Sequence, residues 1–165
     1  MSAATYITYH HSPIGYLRIT GTAEAIQAVT FCDRPGQADA NLPTLLHKCI
    51  HQLEEYFSGT RHQFDLPLAP VGTAFQQQVW DNLQQIPFGK TRSYLAVARA
   101  VSSEKAIRAV GAANGKNPLC ILVPCHRVIG SNGSLTGYAG GLWRKEWLLL
   151  HEGVLQPKQQ LSLFS

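Results

Sequence analysis

The chain has 165 residues, 45% of them hydrophobic and 15% charged, which is ordinary for a soluble globular protein and enough for one good core or two small ones. No apolar run approaches the ~20 residues of a membrane span, and Met1–Tyr6 lacks a basic-then-apolar leader, so a cytoplasmic protein with no membrane partner is expected. The net charge of +4 is unevenly spread. Residues 1–70 carry four Lys/Arg against six Asp/Glu, whereas residues 87–130 carry Lys90, Arg92, Arg99, Lys105, Arg108, Lys116 and Arg127 against Glu104 alone. A phosphate-backbone partner requires such clustering, although a solvated basic face also produces it.

Tyr6–Tyr9, Tyr16–Thr20 and Ala25–Phe31 are rich in β-favouring residues and separated by Ser12-Pro13-Ile14-Gly15 and Gly21, which predicts a short antiparallel meander. Leu42, Leu45, Leu46, Cys49, Ile50, Leu53, Tyr56 and Phe57 then recur at helical spacing and stop at Gly59, a predicted C-cap; this helix should cover one face of the sheet. The proline-punctuated run Phe64–Pro70 marks the boundary between an N-terminal α/β domain, residues 1–70, and a second domain, residues 71–165. Thr73-x-x-Gln76 is a capping-box pattern opening a helix with Phe75, Val79, Leu83 and Ile86 on one face, ending at Pro87-Phe88-Gly89.

A further helix is predicted from Ser93 with Tyr94, Leu95 and Ala98, and another from Ser102 or Ser103 to Ala113, ended by Asn114-Gly115. Two short helices around a tight turn, the second basic, form a helix-turn-helix pattern. Ala109, Gly111, Ala112 and Ala113 on that second helix serve either close approach to a partner or tight packing in the core. Gly130–Gly141 reads as a glycine-rich loop, Leu142–His151 as the last helix with Trp143, Trp147, Leu148 and Leu150 apolar, and Val154–Ser165 as a loosely held tail. The fold class expected is α+β, an N-terminal antiparallel sheet with a covering helix followed by a mainly helical C-terminal domain.

The chemistry concentrates in Ile121–Gly130, where an apolar run delivers Pro124, Cys125, His126 and Arg127 in succession. A cysteine becomes a strong nucleophile as its thiolate, and a neighbouring imidazole or cation helps to populate that form. Adjacent side chains of an extended strand point to opposite faces, so either Pro124 has turned the chain or a water bridges Cys125 and His126. Cys32, Cys49 and Cys120 form no Cys-x-x-Cys pair with each other or with Cys125, so neither a metal site nor a disulfide is expected, and these three read as small buried apolar residues.

Pro124-Cys125-His126-Arg127-Val128, preceded by Arg108-Ala109-Val110-Gly111 and Asn117-Pro118 and followed by Gly140-Gly141-Leu142 and Lys145-Glu146-Trp147-Leu148-Leu149, resembles the O6-alkylguanine-DNA alkyltransferase family, with a match running from about Phe75 to Gly153. The resemblance implies repair of double-stranded DNA containing O6-alkylguanine, with O4-alkylthymine a second substrate to test, by a cofactor-free, single-turnover monomer. It makes Cys125 the alkyl acceptor, His126 its base through a water, and Glu152 the group that orients His126. Asn117 becomes a hinge that ties the DNA-binding helix to the active-site segment, and Tyr94 the residue that meets charge developing on the leaving guanine. Arg108 is implied to intercalate where the base is flipped out. Ala109, Gly111, Ala112, Ser93 and Lys116 are implied to contact DNA, and Val128, Tyr138, Ala139 and Gly140 to hold the flipped base. Ala139 stands where the family often has serine, which leaves a backbone N–H but no hydroxyl for O6. Two other readings of the same residues are a Cys–His–Glu hydrolase and a non-catalytic module that flags alkylated DNA.

Overall fold

The computed structural model describes residues 3–156; the part of the expected tail beyond Gln156 lies outside the described residues. The chain forms two compact units. The first comprises residues 3–71 together with Pro118–Leu122, and the second comprises Gly72–Asn117 with residues 123–156.

In the first unit β1 (Tyr6–Ser12), β2 (Gly15–Gly21) and β3 (Ile26–Cys32) form an antiparallel sheet in the order β1-β2-β3. β1 and β2 meet at Ser12↔Gly15 across the two-residue turn Pro13-Ile14, which the Ser12 hydroxyl closes by donating to Gly15 O at 2.6 Å and accepting from Ile14 N at 3.2 Å. Leu17 and Ile19 on β2 point to one face and are fully buried, the period of two that a half-buried strand requires. Helix α1 (Thr44–Ser58) contacts all three strands and buries Leu46, Cys49, Leu53 and Tyr56, ending as expected at Gly59 with φ 88°. Its Gln52 amide exchanges two hydrogen bonds with the Asp65 backbone, fixing the crossing segment.

The outer edge of β3 is paired twice. Ile26 N donates to Pro67 O and Ile26 O accepts from Ala69 N, while Val29 N donates to Pro118 O at 2.8 Å and Val29 O accepts from Cys120 N at 2.9 Å. Segment 118–122 thus completes the sheet of a unit it is distant from in sequence, and covers backbone groups that would otherwise be an open edge. Within it Ile121 has φ 72°, at the centre of a γ-turn closed by Leu122 N donating to Cys120 O at 2.9 Å. A β-branched residue there carries strain of about 1–3 kcal/mol.

The second unit is mainly helical: α2 (Ala74–Leu83), α3 (Tyr94–Val101), α4 (Ile107–Gly115) and α5 (Leu142–His151), with a two-residue parallel pair β4 (Arg92–Ser93) and β5 (Val128–Ile129). The capping box is formed in full, Thr73 Oγ1 accepting from Gln76 N and Gln76 Oε1 from Thr73 N. The buried face of α2 holds Val79, Trp80 and Leu83, and Trp80 Nε1 donates to Ala113 O at 2.9 Å, joining α2 to α4. α3 starts where Ser93 caps it by accepting from Ala96 N, and the expected second helix begins as a single 3-10 turn, Glu104–Ala106, before α4. α5 turns its face differently from the apolar periodicity: Trp143 is 56% exposed, and Lys145, Leu148 and Leu149 are buried. The cause is that the Lys145 ammonium finds carbonyl partners inside, described below. Among the described residues no helix is long and apolar enough to cross a membrane, and no group of three or more metal-ligating side chains occurs.

Candidate active site

Pro124 turns the chain. With φ −80° and ψ 64° it centres an inverse γ-turn in which Cys125 N donates to Val123 O at 2.8 Å, and Cys125–Arg127 continue as one turn of 3-10 helix. Two amides brace this bend from the end of α4. Asn117 Nδ2 donates to Val123 O at 2.8 Å and Asn114 Nδ2 to Cys125 O at 3.3 Å. Cys125 is 4% exposed at the start of the turn.

His126 is fully buried, and its Nε2 lies 2.7 Å from Glu152 Oε2 at the end of α5. Its Nδ1 is buried and has no partner among the described residues. Glu152 is also gripped by Arg127, whose Nε donates to Oε1 at 2.8 Å and Nη2 to Oε2 at 3.0 Å, while Nη1 donates to Ile86 O at 2.7 Å and Gly89 N reaches Oε1 at 3.3 Å. Burial by itself would raise the Glu152 carboxyl, but the hydrogen bonds and charges of His126 and Arg127 outweigh it and hold the group well below the usual carboxylate range. Burial lowers His126 below its ordinary value; the Glu152 hydrogen bond and charge oppose that shift, and Arg127 and Lys145 reinforce it. The resting arrangement is a neutral imidazole against a carboxylate.

Tyr94 and Lys145 both feel the charge of Cys125. Lys145 is fully buried and donates to Thr136 O at 2.9 Å and Gly137 O at 3.3 Å, with Tyr94 Oη at 3.4 Å. Burial depresses its ammonium to about 8, against an opposing pull from the Cys125 charge. Tyr94 Oη donates to Thr136 O at 2.9 Å, and burial raises its phenol, with the Cys125 charge adding to the rise. Tyr94 also lines an open pocket of about 380 Å³ with Ile107, Arg108, Gly111, Thr136 and Gly137. Of the residues the resemblance assigns to the base pocket, Val128 is fully buried, Tyr138 and Gly140 are partly buried and Ala139 is exposed on the same loop as Thr136 and Gly137.

α4 resolves the two accounts of its small residues one by one. Ala113 is buried under Trp80, whereas Ala109 and Ala112 are exposed and a Cβ added to Gly111 would meet nothing within 4 Å. The basic block also divides. Arg127 is internal, Arg99 pairs with Glu104, and Arg92 donates to Asn82 Oδ1, while Lys90, Lys105, Arg108 and Lys116 are exposed without an ion pair among the described residues. Sequence reasoning missed Lys145, the inward role of Arg127, and Asn114, Thr136 and Gly137. For Lys145 the one usable signal was its position between Trp143 and Trp147 on the last helix.

A DNA-recognition unit built on a helix-turn-helix, with a cysteine beside a buried His–Glu pair, is the architecture of a DNA-modifying transferase. Residues 5–70 match the family described as 6-O-methylguanine DNA methyltransferase, ribonuclease-like domain, and residues 74–154 that described as 6-O-methylguanine DNA methyltransferase, DNA binding domain. The chain belongs to the 6-O-methylguanine DNA methyltransferase family, whose members bind DNA and repair it by alkyl transfer. It is 45% identical over 155 residues to the methylated-DNA–protein-cysteine methyltransferase of Methanosarcina acetivorans, covering 90% of this chain and 98% of that one. With the constitutive methylated-DNA–protein-cysteine methyltransferase of Bacillus subtilis it shares 51% identity over 137 residues, 83% of this chain and 78% of the relative. The crystal structure of the Mycobacterium tuberculosis protein in complex with DNA superposes with a TM-score of 0.78 at 40% identity, covering 95% of this chain and 99% of that one. The enzymatic activity is therefore methylated-DNA–protein-cysteine methyl transfer, and the hydrolase reading is set aside.

Proposed function

We propose that the protein repairs O6-alkylguanine in duplex DNA by one irreversible transfer of the alkyl group to Cys125. The observation that carries the reading is the turn at Pro124–Arg127, in which Cys125 is followed by an imidazole that Glu152 engages at Nε2 and whose Nδ1 is left to receive a proton. The thiol proton passes through one bridging water to Nδ1, and the resulting imidazolium is stabilised by Glu152, the logic of a hydrolase triad with a softer nucleophile. The thiolate attacks the alkyl carbon in line. A sulfur–carbon bond forms as the carbon–O6 bond breaks, and the electron pair stays on guanine.

Tyr94 supplies the hydrogen bond or proton that the guanine anion then needs, and its raised pKa keeps it protonated as a donor. Lys145 adds positive charge beside both Tyr94 and Cys125. Electrons and atoms balance without redox or metal chemistry, and the thioether is inert, so each molecule acts once.

Reaction inside a duplex requires the base to leave the stack at a cost of a few kcal/mol. Arg108, exposed at the pocket beside Gly111, fills the gap through the minor groove, and the small face of Ala109, Gly111 and Ala112 lets α4 approach the backbone. Ser93 and Lys116 contact the flanking phosphates, while Val128, Tyr138, Ala139 and Gly140 enclose the flipped base. Asn117, bonded to Val123 O, couples α4 to the turn. In this reading residues 71–165 carry DNA binding and chemistry, residues 1–70 are a separate domain, and the protein works as a monomer on DNA in the cytoplasm.

Intact-protein mass after incubation with a duplex carrying one O6-methylguanine tests the proposal. One methyl on Cys125, absent from Cys125→Ser and never exceeding one equivalent, is expected; catalytic turnover or methylation elsewhere would overturn it. Arg108→Ala is expected to slow the reaction on duplex DNA much more than on the free alkylated base, and equal losses on both substrates would remove the intercalation role.

A further inference from the structure

Arg127 is the member of the basic block that faces inward, 6% exposed, and the reaction scheme above gives it no task. We propose that Arg127 is a positioning residue: its two-pronged ion pair locks Glu152 as an acceptor-only carboxylate and thereby fixes His126 in the one tautomer that can take a proton from Cys125. This rests on the reading of Cys125, His126 and Glu152 as a relay.

For Nδ1 to accept a proton, Nε2 must carry the ring hydrogen and donate it to Glu152. A carboxyl buried at 5% exposure beside a neutral imidazole is driven towards its protonated form by desolvation. As an acid, Glu152 would donate to Nε2, the ring hydrogen would move to Nδ1, and the relay would face the thiol with a donor instead of an acceptor.

Arg127 blocks that state. Its Nε–H and Nη2–H address Oε1 and Oε2 separately, at 2.8 and 3.0 Å, and Gly89 N–H points at Oε1, so both oxygens are already committed as acceptors. The fork itself is held from behind by Ile86 O on Nη1 and by the Phe88 ring 5.9 Å from Cζ. The charged or titratable groups facing this cluster are His126 and Arg127 from the turn, Lys145 acting on His126, and His151 on α5, which stacks on Trp147 at 4.9 Å and meets the Phe88 ring edge-on at 6.5 Å. A lysine supplies the charge of Arg127 without the fork.

Single-turnover methyl transfer from an O6-methylguanine duplex, measured from pH 5 to 9 with parallel thermal melts, separates this role from a structural one. The variants are Arg127→Met, Arg127→Lys, Glu152→Gln and the double variant Arg127→Met/Glu152→Gln. Arg127→Met is expected to lose about tenfold or more in rate and to move the acid limb of the profile upward, because Glu152 then titrates in the working range. Arg127→Lys should keep the acid limb near its wild-type position with only part of the rate. In the Glu152→Gln background the Arg127→Met change should add no more than about twofold, the ordinary error of additivity. Multiplicative losses in the double variant, or an Arg127→Met protein that melts lower with an unmoved profile, would overturn the proposal. Should Arg127→Met fail to fold, a wild-type rate in Arg127→Lys would overturn it alone. A wild-type rate in Glu152→Gln would instead sink the relay itself, and the proposal with it.

Discussion

At the residue scale, burial sorts the titratable groups by what they can do. Cys49 lies in the first unit with its thiol pushed up to about 12 by desolvation, which leaves it protonated and inert, whereas Cys125 adjoins an imidazole. His126 carries a stability signature as well. Its folded-state value lies below the ordinary one, so between the two the unfolded chain binds more protons and stability rises with pH. Acidification below about 6.5 should therefore weaken the fold before carboxylates titrate, and urea midpoints of His126→Gln should show a flatter slope there than wild type; parallel slopes would contradict this. Lys145→Met should slow transfer ~10-fold or more through loss of preorganised positive charge, read in the same single-turnover assay, and an unchanged rate would leave Lys145 as a loop anchor only. Glu152 came from the family resemblance alone, a glutamate at a helix end reading by itself as solvated, while Cys125 and His126 were legible as a pattern because a thiol and an imidazole between Pro124 and Arg127 are unusual in any context. Arg127 and Lys145 were not, since a charged residue reads as surface until the carboxylate or carbonyls that enclose it are placed, and those come from other elements.

At the scale of elements, local signals survived and distant ones did not. The Thr73–Gln76 box and the Gly59 cap depend on a few neighbouring residues and stand where the sequence put them. The β4–β5 pair joins Arg92 to Val128 through two residues a side, too short for any periodicity to announce. α5 presents its lysine inward and Trp143 outward because partner carbonyls of the 136–137 loop decide its face, and apolar spacing cannot register them. Two glycines now separate packing from function. A Cβ at Gly72 would sit 2.4 Å from Trp80 Cη2, so Gly72→Ala should destabilise the protein by about 1–3 kcal/mol in denaturant melts. Gly111 faces open space in a helix, so Gly111→Leu should leave stability equal or higher, given a glycine penalty of about 0.5–1 kcal/mol, while weakening binding to undamaged duplex. Intact affinity in that variant would show that α4 does not need a slim face.

At the scale of the whole molecule, the chain enters the first unit twice, the second time as Pro118–Leu122. A cut after residue 70 therefore leaves the β3 edge uncovered at Val29, which loses Pro118 O and Cys120 N as partners. Residues 1–70 expressed alone should exchange the Val29 amide faster than the full chain and associate more readily, by hydrogen exchange and sedimentation; equal protection would mean that segment 118–122 contributes nothing to that edge. The strained turn at Ile121 lies in the same short segment, three residues before the bend that carries Cys125 begins.

All three tryptophans, Trp80, Trp143 and Trp147, belong to the second unit. Trp80 is buried to 1% exposure against α4, whereas Trp143 is 56% exposed with the Arg144 guanidinium 4.7 Å from its ring. Indole emission consequently reports on the helical unit alone, as a blue-shifted, quencher-resistant component and a red-shifted one open to iodide, while the sheet unit is silent in that channel. Unfolding followed by fluorescence reads the helical unit, whereas far-ultraviolet dichroism reads both units at once, and coincidence of the two transitions measures whether they melt as one.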